Sequence, residues 1–438
     1  MWQTIVNAFR DKDIRKRIFL TFGALLIFRI GCYIPLPGLN YEVVENALSE
    51  NNTLLGMMSL MSGGALQYGT LFALGILPFI NSFIIMQLLT LIIPRLERLS
   101  KEGDEGRAKI TTITRFVAIG LAVIQSIGII VTFHNAGAIA TTFGSEAVTA
   151  ILLIIMLTAG STLVMWIGER ITDYGIGNGT SLIIFAGILS TFGTQLVGAF
   201  KTVPDNPNNL FNIFGYLILV VLLFLLIVYV DGAERRIRVN YAKQVKGNKM
   251  YGGQSTFIPI RVNGSGVMPI IFASSFLMFP QMIISFLDET NSFRIFYLTY
   301  LYPGTTSGNG WVGYLVYYLF MFLFIIFFSY FYAQIQFNPQ DVARNLQQYG
   351  GTIQGQRPGK PTSDYLGKIN NRITLFGALF LAFIAIIPTL LFQLVGGSLG
   401  LANAFSATGM LIVVSVALEF DKQLDAQIMM RHYKGFLK

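Results

Sequence analysis

The hydrophobic positions of this chain run together in long uncharged blocks. No Asp, Glu, Lys or Arg occurs from Asn51 to Pro94, Phe116 to Ser145, Ala147 to Gly168, Tyr174 to Phe200, Asn206 to Val230, Val262 to Leu287, Ile295 to Gln340, or Ile373 to Leu418. A helix rises 1.5 Å per residue, so about 20 apolar residues cross about 30 Å of hydrocarbon. Most of these blocks are long enough, and the pattern predicts membrane-spanning helices. The last block is 46 residues long and is broken by Gly396, Gly397 and Gly400, which suits two helices joined by a tight turn. With Ile18 to Pro35 in front, ten spans are predicted, at about 18–36, 70–93, 112–133, 147–168, 179–200, 210–230, 264–287, 311–335, 373–394 and 401–418. The first follows Arg15, Lys16 and Arg17, but nine more come after it and no small-residue cleavage motif is evident, so it reads as a retained helix and not a signal peptide.

Composition agrees with this pattern. Of 438 residues, 53% are hydrophobic and only 12% charged, about half the charged share of a soluble domain. The single cysteine, Cys32, leaves no disulfide framework and no thiolate metal cluster, and the two histidines, His134 and His432, form no ligand pair. No cofactor is expected. The net charge of +9 matters less than its placement: 28 of the 31 Lys and Arg lie before the first span, between the second and third, fourth and fifth, sixth and seventh, eighth and ninth, or in the tail. That bias places this face, and both termini, in the cytoplasm. The exceptions are Arg29, Lys201 and Arg294.

Three stretches do not read as simple spans. Leu54 to Ile93 is too long for one helix and carries Gly63, Gly64, Gly69, Gly75 and Pro78. It reads as a short non-spanning piece, Leu54 to Tyr68, followed by a span from Thr70. A half-helix in lipid leaves backbone groups unpaired, which is tolerable inside protein or beside a water-filled cavity. The alternative is an interfacial helix on the outer surface. Its small, soft content (Met57, Met58, Met61, Ser62, Gly63, Gly64) suits a mobile stopper. In the loop 233–262, Arg236-Ile237-Arg238-Val239 and Thr256-Phe257-Ile258-Pro259-Ile260-Arg261 alternate with period two around Lys246-Gly247-Asn248-Lys249, predicting a β-hairpin in water. The loop 336–371 is a second long, largely polar projection. Finally, Gly175-Ile176-Gly177-Asn178-Gly179-Thr180-Ser181 looks like a phosphate cradle, but no lysine follows and no strand precedes it, so a flexible cytoplasmic turn is expected. No GxxxxGK[ST] occurs, and ATP hydrolysis has to come from elsewhere.

Several segments are specific in combination. They are Arg29-Ile30-Gly31 with Ile34-Pro35-Leu36-Pro37-Gly38, Met61-Ser62-Gly63-Gly64-Ala65-Leu66, and Phe72-Ala73-Leu74-Gly75-Ile76-Leu77-Pro78. Further on come Tyr174-Gly175-Ile176-Gly177-Asn178-Gly179, Arg235-Arg236-Ile237, Asn240-Tyr241-Ala242-Lys243, Gly355-Gln356-Arg357-Pro358-Gly359 and Leu411-Ile412-Val413-Val414. In this order along ten spans, the chain resembles the SecY family of bacterial protein-translocation channels from the first span to the last.

The resemblance implies an all-α membrane protein: ten transmembrane helices in two pseudo-symmetric five-helix halves, 1–205 and 206–438, around a central hourglass pore, with a half-helix plug and two long cytoplasmic loops. By motif position the aliphatic ring at the waist falls on Ile76, Ile80, Ile184, Ile271 and Ile412, and a sixth position is Thr180 here. The plug falls on about 54–68. The lateral gate lies between spans two and seven, helped by three and eight, and the polar groups near that seam are Gln87 and Asn263. The loop cations Arg236, Lys243, Lys246, Lys249, Arg357 and Lys360 are the candidates for docking a motor or ribosome. The implied partners are the small subunits SecE and SecG, the motor ATPase SecA, the ribosome, signal-bearing preproteins and membrane lipid. The implied activity is that of a conduit in the bacterial cytoplasmic membrane, not an enzyme.

Two other classes fit less well. An ion-coupled secondary transporter needs an ionisable group near mid-membrane, whereas Arg29 lies toward the outer end of its span and Glu169, Asp231, Glu234 and Glu419 at cytoplasmic ends. An intramembrane enzyme lacks paired aspartates, a histidine pair and a GxSxG elbow.

Overall fold

The computed structural model describes residues 11–41, 43–44, 59, 62–140, 145–201, 203–204, 208–241, 243–246, 249–252, 255–284, 287, 291–301, 310–396 and 407–435. In chain order the elements begin with α1 (Lys12–Gly31), α2 (Leu77–Ile92), α3 (Pro94–Lys101), α4 (Asp104–Asn135), α5 (Glu146–Tyr174), α6 (Gly179–Lys201) and α7 (Asn208–Asp231). Strands β1 (Glu234–Tyr241), β2 (Lys243–Lys246), β3 (Lys249–Gly252) and β4 (Ser255–Arg261) follow. Then come α8 (Met268–Ile284), α9 (Ser292–Tyr300), α10 (Gly310–Gln336), α11 (Pro339–Gln348), β5 (Gly351–Ile353), α12 (Lys360–Gly396) and α13 (Ala407–Gly435).

Every predicted span overlaps a helix among the described residues. Among the described residues six helices are long and apolar enough to cross a membrane, or seven if α2 and α3 count as one bent span. The others fall short for local reasons. Helix α1 opens with Lys12, Asp13, Arg15, Lys16 and Arg17, while α2 and α8 have 16 and 17 residues. The outward faces are apolar, as lipid requires: Phe22, Leu26 and Ile30 on α1 and Phe211, Ile218, Leu225 and Tyr229 on α7 are all exposed. The chain is an all-α membrane protein with a small water-facing sheet.

The second span begins later than expected. Residues 70–76 are not helical: Thr70 bridges Pro35, Leu71 N–H donates to Ile34 O over 3.0 Å, and Gly75 sits at φ +54°, where a helix cannot start. Helix α2 starts at Leu77 with Pro78 in its first turn, where the missing N–H costs nothing. It ends at Ile93, which is extended because Pro94 follows, and the chain bends by 101° into α3.

By packing, the chain divides into two compact units: one of Met1–Ile213, Ser275–Tyr317 and Phe392–Lys438, the other of Phe214–Ser274 and Tyr318–Leu391. In the first, the core gathers Leu66, Leu74 and Leu77 with Phe133, Leu153 and Leu157. Small residues let the backbones approach: a Cβ on Gly160 of α5 would collide with the Leu71 carbonyl, and Ser82 Oγ donates to Thr114 O over 2.6 Å across α2 and α4.

In the second unit the predicted hairpin is present, with a third strand that the pattern had not indicated. Strands pair in the order β4-β1-β5, all antiparallel, with Ile237 opposite Ile258 and Val239 opposite both Thr256 and Ile353. Strand β5 comes from the loop 336–371, so the two long loops form one sheet. Ile237 and Val239 point inward onto Ile260, Leu346, Ile353 and Leu366, and Arg236 and Arg238 point outward. Gly351 sits tightly at the join, where a Cβ would lie 3.0 Å from the Tyr241 ring and 3.1 Å from Leu346. The tip strands β2 and β3 also pair.

The segment 175–181 is a packed corner and not the flexible turn expected. Ile176 is fully buried against Ile14, Ile18 and Leu424, and its N–H donates to Thr21 Oγ1 over 3.1 Å. Gly179 N–H donates to Thr172 Oγ1 over 2.9 Å, and a Cβ on Gly179 would strike the Gly168 carbonyl. Gly175 and Gly179 serve close packing.

Candidate functional site

The candidate ring residues are carried by different helices. Ile76 caps the N-terminus of α2 and Ile80 follows one turn later, Ile184 lies on α6, and Ile412 lies on α13, which packs along α6. Ile271, on α8, belongs to the second unit. All five are between 1% and 7% exposed, so none faces lipid. Ile76 is placed by a hydrogen bond one residue earlier, where Ser161 Oγ of α5 donates to Gly75 O over 3.1 Å. Its Cδ1 reaches Gly168, beside Ile183 and Thr180. Thr180 itself is turned to a local task, donating its hydroxyl to Asn178 Oδ1 over 2.6 Å.

Met57, Met58 and Met61 lie outside the described residues. Ser59 is helical, the remaining plug candidates Ser62, Gly63 and Gly64 are not, and the rest of 54–61 lies outside the described residues. Residues 62–69 run as turns, because Gly63, Gly64 and Gly69 adopt φ of +71°, +84° and +55°. They are not on the surface either. Ser62 is fully buried, its hydroxyl donates to Ser59 O over 3.1 Å and accepts from Leu66 N–H over 3.3 Å, and Gly64 N–H donates to Ser59 O over 2.7 Å. Gly63 lies against α6, where an added Cβ would come within 2.8 Å of Gly187 Cα. Its carbonyl accepts from Arg29 Nη1 over 2.9 Å. The sequence pattern had not connected Arg29, Gly187 or Ser161 to this segment. The only signal in it was the position of Arg29 against the charge bias.

Of the two seam residues, Gln87 on α2 is half-buried, and its Oε1 has no partner among the described residues. Asn263 is buried just before α8, and its Nδ2 donates to Asp231 Oδ1 over 2.6 Å, tying that approach to the end of α7. Phe272 of α8 meets Phe328 and Tyr332 of α10 edge-on, at 5.6 and 6.1 Å. The other acidic groups at span ends also have partners: Glu169 accepts from Arg115 at 2.6 Å, Glu234 from Arg236 at 2.7 Å and Glu419 from Gln423 at 3.2 Å.

Among the docking candidates, Arg236 is exposed on the outer face of β1, paired with Glu234. Arg357 and Lys360 are exposed where the chain turns from β5 into α12. The Arg357 backbone is fixed, because Thr362 Oγ1 donates to its carbonyl over 2.7 Å, while its guanidinium has no partner among the described residues. Lys243, Lys246 and Lys249 lie on the tip strands, and their side chains are outside the described residues.

A family model described as SecY matches residues 70–420. The chain is 41% identical over 449 residues to the protein translocase subunit SecY of Streptomyces galbus, with all of both chains covered. It is 40% identical over 453 residues to that of Corynebacterium glutamicum, covering 99% of each. Among solved structures, a protein-conducting channel superposes with a TM-score of 0.67 at 22% identity, covering 93% of this chain and 91% of the other. The channel of a canine ribosome-channel complex from the endoplasmic reticulum gives 0.64 at 21%, covering 93% and 91%. With a family model matching residues 70–420 and similarity running from end to end, this chain belongs to the SecY family.

Proposed function

We propose that the chain is the pore subunit of a protein translocase: a passive conduit, driven by partners, that passes unfolded preproteins across the bacterial cytoplasmic membrane and releases hydrophobic segments sideways into lipid. The observation that carries this reading is the full-length similarity to protein translocase subunits, taken with the burial of all five motif-position isoleucines.

A polypeptide conduit has to admit an extended chain and refuse ions. A neck of aliphatic side chains meets both demands. An ion entering it loses hydration worth, in the idealised limit, tens of kcal/mol, while a sliding chain finds no specific partner there. In this reading Ile76, Ile80, Ile184, Ile271 and Ile412 form the neck, the segment around Ser62, Gly63 and Gly64 is the plug, and residues 1–205 and 206–438 are the two halves of the clamp. About 20 apolar residues of a signal sequence gain more in lipid than in a wet vestibule, so the seam near Gln87 and Asn263 is the gate. Interhelical hydrogen bonds worth about 0.6 to 2 kcal/mol are weak enough for a substrate to open.

Both termini and the sheet-bearing loops face the cytoplasm, where Arg236, Lys243, Lys246, Lys249, Arg357 and Lys360 meet SecA or ribosomal RNA phosphates. SecE and SecG are the expected small subunits in the membrane. The deciding experiment replaces Ile76 or Ile412 by Asn and records resting ion conductance in planar bilayers. A rise is expected for each, and unchanged conductance in both refutes the neck.

A further inference from the structure

Arg29 departs from the charge pattern: it is one of three Lys or Arg off the basic face, in the last turn of α1, far from Arg15, Lys16 and Arg17. A guanidinium near a span end is expensive unless its donors are used. Here two are used. Nη1 donates to Gly63 O over 2.9 Å and Nη2 donates to Tyr33 Oη over 2.9 Å, with the guanidinium carbon 5.1 Å from the Tyr33 ring centre. The Tyr33 ring in turn lies 6.2 Å from that of Tyr68, beyond the other end of the same turn.

Gly63 is held from its other sides by backbone contacts. A Cβ on Gly63 would come within 2.8 Å of Gly187 Cα, and a Cβ on Gly75 within 3.2 Å of Ser62 Cα, so only glycines let these three segments close. Such a seat gives shape, but apart from the buried Cys32 thiol, a weak donor to Ser62 O over 3.7 Å, its contacts carry little direction. Among the described residues, the charge-assisted bond into it comes from Arg29, and its acceptor is a main-chain carbonyl.

We infer that Arg29 is a positioning residue for the plug: a latch that holds the Gly63 turn in its seat against Gly187 and Gly75 while the channel rests. The inference rests on the plug reading above. When the turn leaves, the bond to Gly63 breaks while the contacts to Tyr33 keep the guanidinium in place for its return. Hydrogen bonds from charged donors shift a two-state balance by about ten- to a hundredfold. The latch therefore biases the resting channel toward closed without fixing it there.

The test uses the full chain, purified with the subunits that accompany it, carrying the reporter Ser59→Cys, since Ser59 is buried at rest; Cys32, which is buried and donates to Ser62 O, is kept, and the chain without the reporter gives its background labelling. Arg29→Gln is expected to raise both resting conductance and labelling of the reporter by a membrane-impermeant maleimide, about tenfold or more, while preprotein transport is retained. Arg29→Lys keeps the charge but loses the fork, so its rise is smaller. Tyr33→Phe leaves the charge and α1 intact and is expected to move both readouts the same way. If Arg29→Gln matches the parent in both readouts while Ile412→Asn leaks, the latch is overturned and the channel reading stands. If Ile412→Asn is also silent, the channel reading fails with it.

Discussion

The hydroxyl of Ser161 on α5 donates to the carbonyl of Gly75 over 3.1 Å, and through that one bond the fourth span sets the turn from which Ile76 enters α2. The approach is possible because the preceding residue, Gly160, has no side chain to strike the Leu71 carbonyl. Gly160→Ala is therefore expected to destabilise the protein by about 1 to 3 kcal/mol through overpacking. Ser161→Ala is expected to cost about 1 kcal/mol, by leaving the Gly75 carbonyl unpaired. Thermal unfolding in detergent checks both, and a neutral Gly160→Ala would show that this contact is loose.

Asn263 has a more specific role than its type suggests. It is buried with its amide on Asp231, at the point where the sheet hands over to α8. Asn263→Ala removes that donor, with an expected loss of about 1 to 3 kcal/mol. If the seam reading holds, the same variant also passes substrates with weaker signal sequences. Transport of a preprotein with a shortened apolar core, set against the parent, measures this.

Arg357 projects from a turn whose backbone is fixed by Thr362. Reversing an exposed charge on a fixed turn changes what the turn attracts without disturbing the fold. Arg357→Glu is expected to impair motor-driven export several-fold more than passive channel opening. Export in inverted vesicles with added motor, compared with conductance in bilayers, separates the two. Equal loss in both assays would indicate misfolding instead.

The short helix α3 provides a pH test on the water-facing side. Lys101 donates to Glu97 over 2.7 Å, and that hydrogen bond, followed by the charge itself, holds the Glu97 carboxyl below its ordinary range. A depressed carboxylate contributes stability above its unfolded value and loses it as pH falls through its folded value. The pair is therefore intact at neutral pH and fades only in acid. Lys101→Ala is expected to raise the Glu97 titration back toward the ordinary carboxylate range, as followed by carboxyl NMR shifts.

What the sequence alone determined here is the part of the structure set by local chemistry. Each uncharged block holds a helix among the described residues, because burying backbone in lipid favours a helix where about 20 apolar residues occur together. The β1–β4 hairpin was equally legible, since Ile237 and Val239 alternate with Arg236 and Arg238 on a single strand. Tertiary structure decided everything that depends on residues far apart in the chain. Strand β5 joins β1 across more than a hundred positions, and no period within Gly351–Ile353 announces it. The start of α2 moved from Thr70 to Leu77 because distant partners, Ile34, Leu36 and Ser161, hydrogen-bond the backbone of residues 69–75 in place of a helix. Arg29 looked like an unexplained charge until Gly63, 34 residues away, supplied its acceptor. Hydropathy is a property of each residue and can be read along a line, whereas a hydrogen-bond partner is assigned only once the chain has folded.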